Sequence, residues 1–223
     1  MRSASLLTDT DQRAAAKLDR FVERFSPAYR QLVYYAALPL VLTPELVNYL
    51  RVQFFRSAEL DWVAEVDLLL SDLCRPVGYE LYALDADVRA LALREAADQL
   101  GEAQLRAAAQ ALLSYVQFLA QNPQANRQQL QAQRWGALLY WQERRVGVVG
   151  ELAEALQAAG GAGDAVGTDL LARSELARLV RLVAEEFAPQ LQEFPLLLEH
   201  ARVVSDLLRQ PEMVAAADLR PRP

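Results

Sequence analysis

Histidine, cysteine and lysine each occur once in this 223-residue chain, as His200, Cys74 and Lys17. A lone cysteine excludes an intramolecular disulfide and fits a reducing compartment. A lone histidine excludes an HExxH zinc site and the paired Glu-x-x-His ligands of a carboxylate-bridged di-iron bundle. Glycine contributes only 9 residues and β-branched runs are short, which argues against a large sheet. CxxC, GxSxG, Walker and GxGxxG patterns are all missing, and with them the common redox, hydrolase and nucleotide signatures. The longest near-continuous apolar run, residues 34–42, is half a membrane span and is interrupted by Pro39. The opening MRSASLLTDT lacks the apolar core of a secretory signal. The expectation is a soluble, cytoplasmic protein without a membrane partner. A net charge of −6 and a pI near 5.0 disfavour nucleic acid as a partner unless basic residues segregate. Apart from Lys17 every basic side chain is Arg, which reads as coding bias before any preference for phosphate.

Hydrophobic residues make up 53% of the chain, enough to build a core, and the abundant Ala, Leu, Gln, Arg and Glu favour helix. The fold class expected is all-α, a multi-helix bundle with a small winged-helix-like β-hairpin near residues 76–84. Ser26-Pro27 and Thr43-Pro44 read as helix starts, with a hydroxyl at the N-cap and proline in the first turn. They separate a first helix ending near Phe25 from helices with stripes Tyr29, Leu32, Val33, Ala36 and Leu46, Val47, Leu50, Phe54. Residues 59–73 then predict an acidic helix. Its buried face is Trp62, Val66, Leu69 and Leu73, and its water-facing strip is Asp61, Glu65 and Asp72.

After Arg75-Pro76, residues 77–84 alternate in a strand-like way, although no Asn-Gly or Asp-Gly marks a turn. Asp85 caps a helix carrying Val88 and Leu91, and Gly101 ends it. Another helix covers 102–121. One from about 127 to 141 continues to 159, with Gly147 or Gly150 as possible kinks, and two more cover 169–187 and 189–209. The organisation expected is an N-terminal helical region, 1–101, containing a winged-helix-like module at about 42–93. A helical bundle follows over 102–210 with a flexible Gly-rich loop at 160–168, then a linker-like tail over 211–223.

Candidate chemistry is sparse. His200 has only Glu199 beside it, which points elsewhere on a helix, so a surface or structural role is the simpler reading. Cys74 reads as a small buried residue at a helix end rather than a nucleophile. The pairs Glu151/Glu154 and Glu185/Glu186 could in principle move protons but read as solvated helix faces. Arg144-Arg145 beside Trp141, with Arg134 nearby, is the best cationic-aromatic patch, with too little interleaving for single-strand binding. No catalytic, cofactor-binding or metal-ligating residue is assigned, and no cofactor is expected. Tyr79, Tyr82 and Trp141 are the candidate partner contacts.

The run WVAEVDLLLSDLCRPVGYELYALDADVRALAL, residues 62–93, carries an acidic Ala64-Glu65 helix, the turn Arg75-Pro76-Val77, a short wing and an Asp85-to-Arg89 "D-x-x-VR" helix. It resembles a helical, winged-helix-like adaptor segment of bacterial multidomain signalling and conflict proteins. There such segments accompany NTPase, TIR, caspase-like, WD-repeat or formylglycine-generating-enzyme-like and C-type-lectin domains. The resemblance implies a non-enzymatic adaptor that contacts a protein partner or a covalently linked neighbouring domain. Two alternatives stay open: a winged-helix transcriptional regulator binding DNA, and an enzyme with a carboxylate or arginine site that no motif reveals.

Overall fold

The computed structural model describes residues 9–56, 59–78, 80–123, 127–139, 142–160, 176, 180–184, 187, 191 and 194–209. Helix accounts for 76% of them, with one two-stranded antiparallel hairpin, so the all-α expectation holds. The chain divides into two compact units, Met1–Ala125 and Asn126–Pro223.

In the first unit, α1 (Asp9–Arg24), α2 (Pro27–Ala36), α3 (Pro44–Phe54) and α4 (Val63–Leu69) precede the hairpin. Pro27 and Pro44 open their helices as expected. The Thr43 side chain accepts from the Leu46 amide at 3.1 Å, whereas Ser26 makes no capping bond of this kind. α2 is the central helix, and Leu32 through Ala36 are all buried. Its Tyr35 stacks on Phe54 with ring centroids 4.3 Å apart, which fixes α2 against the end of α3.

β1 (Cys74–Gly78) pairs antiparallel with β2 (Leu81–Leu84), Cys74 facing Leu84. The hairpin begins two residues earlier than expected, and its register slips between Pro76 and Gly78. That bulge breaks the simple alternation read across 77–84, leaving Val77 exposed and Leu84 buried. Glu80 takes a left-handed backbone, φ 51°, a position that glycine or asparagine usually advertises. The sequence therefore gave no turn signal. Tyr82 also exchanges both backbone hydrogen bonds with Leu42, at 2.7 and 2.9 Å. This bridge ties the hairpin to the residues just before α3.

α5 (Ala86–Gln99) starts on Asp85, whose carboxylate accepts from the Asp87 and Val88 amides. Lys17, the single lysine, donates to Asp85 at 2.7 Å and joins α1 to this cap. Gly101, at φ +76°, begins α6 (Gly101–Leu119), which packs on α5 and α3. α6 thus lies in the first unit, whereas the reading of the sequence placed it with the C-terminal bundle.

In the second unit, α7 (Arg127–Leu139) and α8 (Gln142–Gly160) pack together, and α9 (Pro195–Arg209) packs on α8. The expectation of one helix running through 127–159 is overturned. A continuous helix at ~1.5 Å per residue would hold Trp135 and Glu151 about 24 Å apart. Instead the Trp135 indole N–H donates to Glu151 at 2.9 Å, so α7 and α8 are two separate helices packed on each other. Gly147 and Gly150 lie within α8 with open space where a Cβ would stand, so they mark no kink forced by packing. Val148, Leu152 and Leu156 form its buried stripe. The last helix starts at Pro195, not near 189; residues 161–168 and 210–223 lie outside the described residues.

Candidate functional site

The largest departure from the amphipathic pattern is α4. The expected water-facing acid, Glu65, points inward: it accepts from Arg51 Nε at 2.5 Å and from Asn48 Nδ2 at 2.9 Å, both on α3. Arg51 and Glu65 are 12% and 14% exposed. The Arg51 fork also donates to the Leu60 carbonyl at 3.2 Å. Leu60, Ala64 and Leu68 fill the core together with Leu69 and Leu73, the two members of the expected buried face that are buried. Trp62, Val66 and Leu70, assigned in part to the buried face, stand 61%, 44% and 72% exposed at i, i+4 and i+8. The segment carries two apolar stripes, and the ion pair with α3 lies beside the buried one.

Beside this exposed edge lies a cleft of about 450 Å³. One wall is α1, through Arg20, Phe21, Arg24 and Phe25. The other is α4 and the turn after it, through Val66, Asp67, Leu70, Ser71 and Asp72. Phe21 meets Phe25 edge-on at 5.2 Å, and Phe25 stacks on Tyr29 at 4.6 Å. The Tyr29 hydroxyl donates to Asp67 at 2.9 Å; burial, and then this bond, push the phenol up to about 12. Arg20 and Asp72 approach to 3.8 Å with both side chains largely in solvent, a geometry that stabilises little. Arg24 lies 5.3 Å over the Phe25 ring.

The residues singled out for chemistry do not converge. His200 and Glu199 are exposed on α9. Cys74 is half-buried in β1, and burial pushes its thiol up to about 12 although the Arg89 guanidinium pulls the other way. Such a thiol holds its proton at neutral pH. Glu151 is a tie between helices rather than a solvated carboxylate: it accepts from Arg134 at 2.5 and 3.1 Å, from Trp135 and from Gln131. That engagement removes Arg134 from the expected cationic patch. Among the described residues no three His, Cys, Asp or Glu side chains are grouped to hold a metal ion, and no helix is long and apolar enough to cross a membrane.

Of the candidate partner contacts, Tyr82 is half-buried on β2; Tyr79 and Trp141 lie outside the described residues, as do Glu185 and Glu186. Reading from sequence missed the Trp62–Val66–Leu70 edge. The available signal was a second stripe, Leu60–Ala64–Leu68, competing for the same core. It also missed Arg89, buried at 1% exposure and donating to the Leu40 carbonyl at 2.9 Å. Searches for a matching family model, a related curated protein or a similar solved structure found none.

Proposed function

We propose that this chain is a non-enzymatic protein–protein interaction module that docks a partner, or a linked neighbouring domain, on the exposed edge of α4. The observation that carries the reading is the solvent exposure of Trp62, Val66 and Leu70 at helical spacing. Leaving large apolar side chains in water forgoes about 1.5–3 kcal/mol each relative to burial, and contiguous exposed apolar surface marks interaction sites. Tryptophan is also the residue most concentrated at binding hot spots. Against the DNA-binding alternative, the α4 segment over 59–73 carries acids and no basic residue, so it would repel phosphate. The setting we propose is the cytoplasmic, bacterial signalling or conflict assembly that the resemblance implies, with the chain coupling one protein to another.

The test is partner capture by tagged wild-type chain and by the Trp62→Ser/Leu70→Ser variant, with and without nuclease. The expected result is a nuclease-resistant protein retained by the wild type and lost by a variant whose thermal midpoint is unchanged. Capture that is identical for both chains, or that disappears with nuclease, would overturn the reading.

A further inference from the structure

Resting on that docking reading, we propose that the occupant is a single amphipathic helix, with carboxylates along one edge of its apolar ridge and Lys or Arg along the other. The cleft is walled by the C-terminal ends of α1 and α4 and the residues that follow them, with apolar residues spaced i and i+4, Phe21 with Phe25 and Val66 with Leu70. The Phe25 amide bonds back to Val22 and the Leu70 amide to Val66, which continues each last turn. Such paired ridges leave a trough that the ridge of a third helix fills. The apolar edge continues past the cleft to Val63, the first residue of α4, and Trp62 just before it, 40% and 61% exposed. That continuity favours an elongated occupant over a compact small molecule. Both walls are helix ends and the turns after them, where the Phe25, Leu70 and Ser71 amides bond back into the preceding helix, and among the described residues no strand lines the cleft to receive an added one. Among peptide modes, helix-in-groove docking is the one read by apolar anchors at i and i+4, the spacing that both walls present.

The charges select the edges. The α1 wall presents Arg20 and Arg24, and the α4 wall presents Asp67 and Asp72. Arg24 makes no ion pair among the described residues and rests over Phe25. Arg20 and Asp72, exposed and 3.8 Å apart, hold each other weakly, so each can exchange its partner for one on the incoming helix. A uniformly acidic or uniformly basic helix is attracted by one wall and repelled by the other. A split-edge helix satisfies both. Exchanging the two edges of a helix is equivalent to reversing its direction in the groove, so the split also sets the direction of docking.

The experiment uses the full chain and designed helical peptides sharing one Leu ridge, labelled for fluorescence anisotropy. One peptide has a Glu edge and a Lys edge, one has Glu on both edges and one has Lys on both. The split-edge peptide is expected to bind about tenfold more tightly than either uniform one. In the Arg20→Glu/Arg24→Glu variant that preference should pass to the all-Lys peptide. Equal binding of the three peptides would overturn the charge selection while leaving the docking surface standing. If no peptide binds although Trp62→Ser/Leu70→Ser still abolishes partner capture, the helix occupant is wrong and the docking reading survives. If no peptide binds and that variant captures normally, both fail. Dimerisation that rises with concentration and is lost in Trp62→Ser/Leu70→Ser would assign the face to a second copy and also overturn the proposal.

Discussion

α4 in the first unit and α8 in the second carry the same apolar spacing with opposite outcomes. Trp62, Val66 and Leu70 stand in solvent, whereas Val148, Leu152 and Leu156, also at i, i+4 and i+8, are buried to 1% exposure or less. Each helix also holds a glutamate that ties it to its predecessor, Glu65 to Arg51 and Glu151 to Arg134. In α8 the tie flanks the apolar stripe, so both requirements agree and the helix buries what its pattern says it should. In α4 the tie lies beside the Leu60–Ala64–Leu68 stripe, which is buried, and the larger stripe faces outward. A helix segment with more apolar surface than one face can bury leaves an apolar edge in solvent where an ordinary amphipathic helix produces core.

The contrast can be broken most directly by truncating one leucine in each stripe. Leu152→Ala empties a fully buried site and is expected to cost about 3 kcal/mol, transfer loss and cavity together. Leu70→Ala, at a site 72% exposed, is expected to cost less than about 0.5 kcal/mol. Urea denaturation of the two variants measures the difference. Costs of similar size would mean that the α4 edge is covered in solution, contrary to its proposed use.

The next effect tests what steers α4. Glu65→Ala leaves the Arg51 guanidinium in a site that is only 12% exposed, and breaking a pair of this kind costs about 3 kcal/mol, less whatever water reaches the site. Arg51→Met/Glu65→Leu removes both charges and should recover most of that loss. A double variant as unstable as Glu65→Ala would assign the role to packing instead of to the ion pair. Freed of the tie, α4 has two stripes competing for the core, so Trp62 fluorescence in Glu65→Ala should shift to the blue as the indole leaves water.

Much of this fold was legible because local signals agreed with one another. Pro27, Pro44 and Asp85 each mark a helix start through backbone chemistry that no tertiary contact overrides. Gly101 likewise marks a break that its positive φ explains. The failures lie where a choice depends on a distant partner. Nothing within residues 59–73 says that Arg51 and Asn48 will take Glu65, and nothing within 127–159 says that Glu151 will meet Trp135. Glu80 in a left-handed turn defeated the hairpin signal for a different reason, since its backbone carries a conformation its side chain does not favour. The candidate site was therefore the least legible part: two plausible faces competed within one segment, and the contacts Glu65 makes with Arg51 and Asn48 lie outside it.

The smallest effect is the response of the Glu151 tie to acid. The Glu151 carboxyl is held below its ordinary 4.5, chiefly by the hydrogen bond from Arg134, against a smaller upward push from burial and with further help from Trp135 and Gln131. A carboxyl whose folded pKa is lowered binds fewer protons in the folded chain than in the unfolded one. Its contribution is therefore complete above the unfolded value and is lost as pH falls through the folded value. Glu151 and Arg134 are each 38% exposed, so solvent screening limits the contribution to about 1 kcal/mol. Glu151→Gln keeps the acceptor oxygen and cannot titrate. The stability gap between wild type and Glu151→Gln should thus be widest near neutral pH and narrow steadily once the pH drops below 4.5. Denaturation midpoints across that window measure it. A gap independent of pH would show that α7 and α8 are joined by the shape and hydrogen bonding of the residue at 151, with its charge contributing nothing.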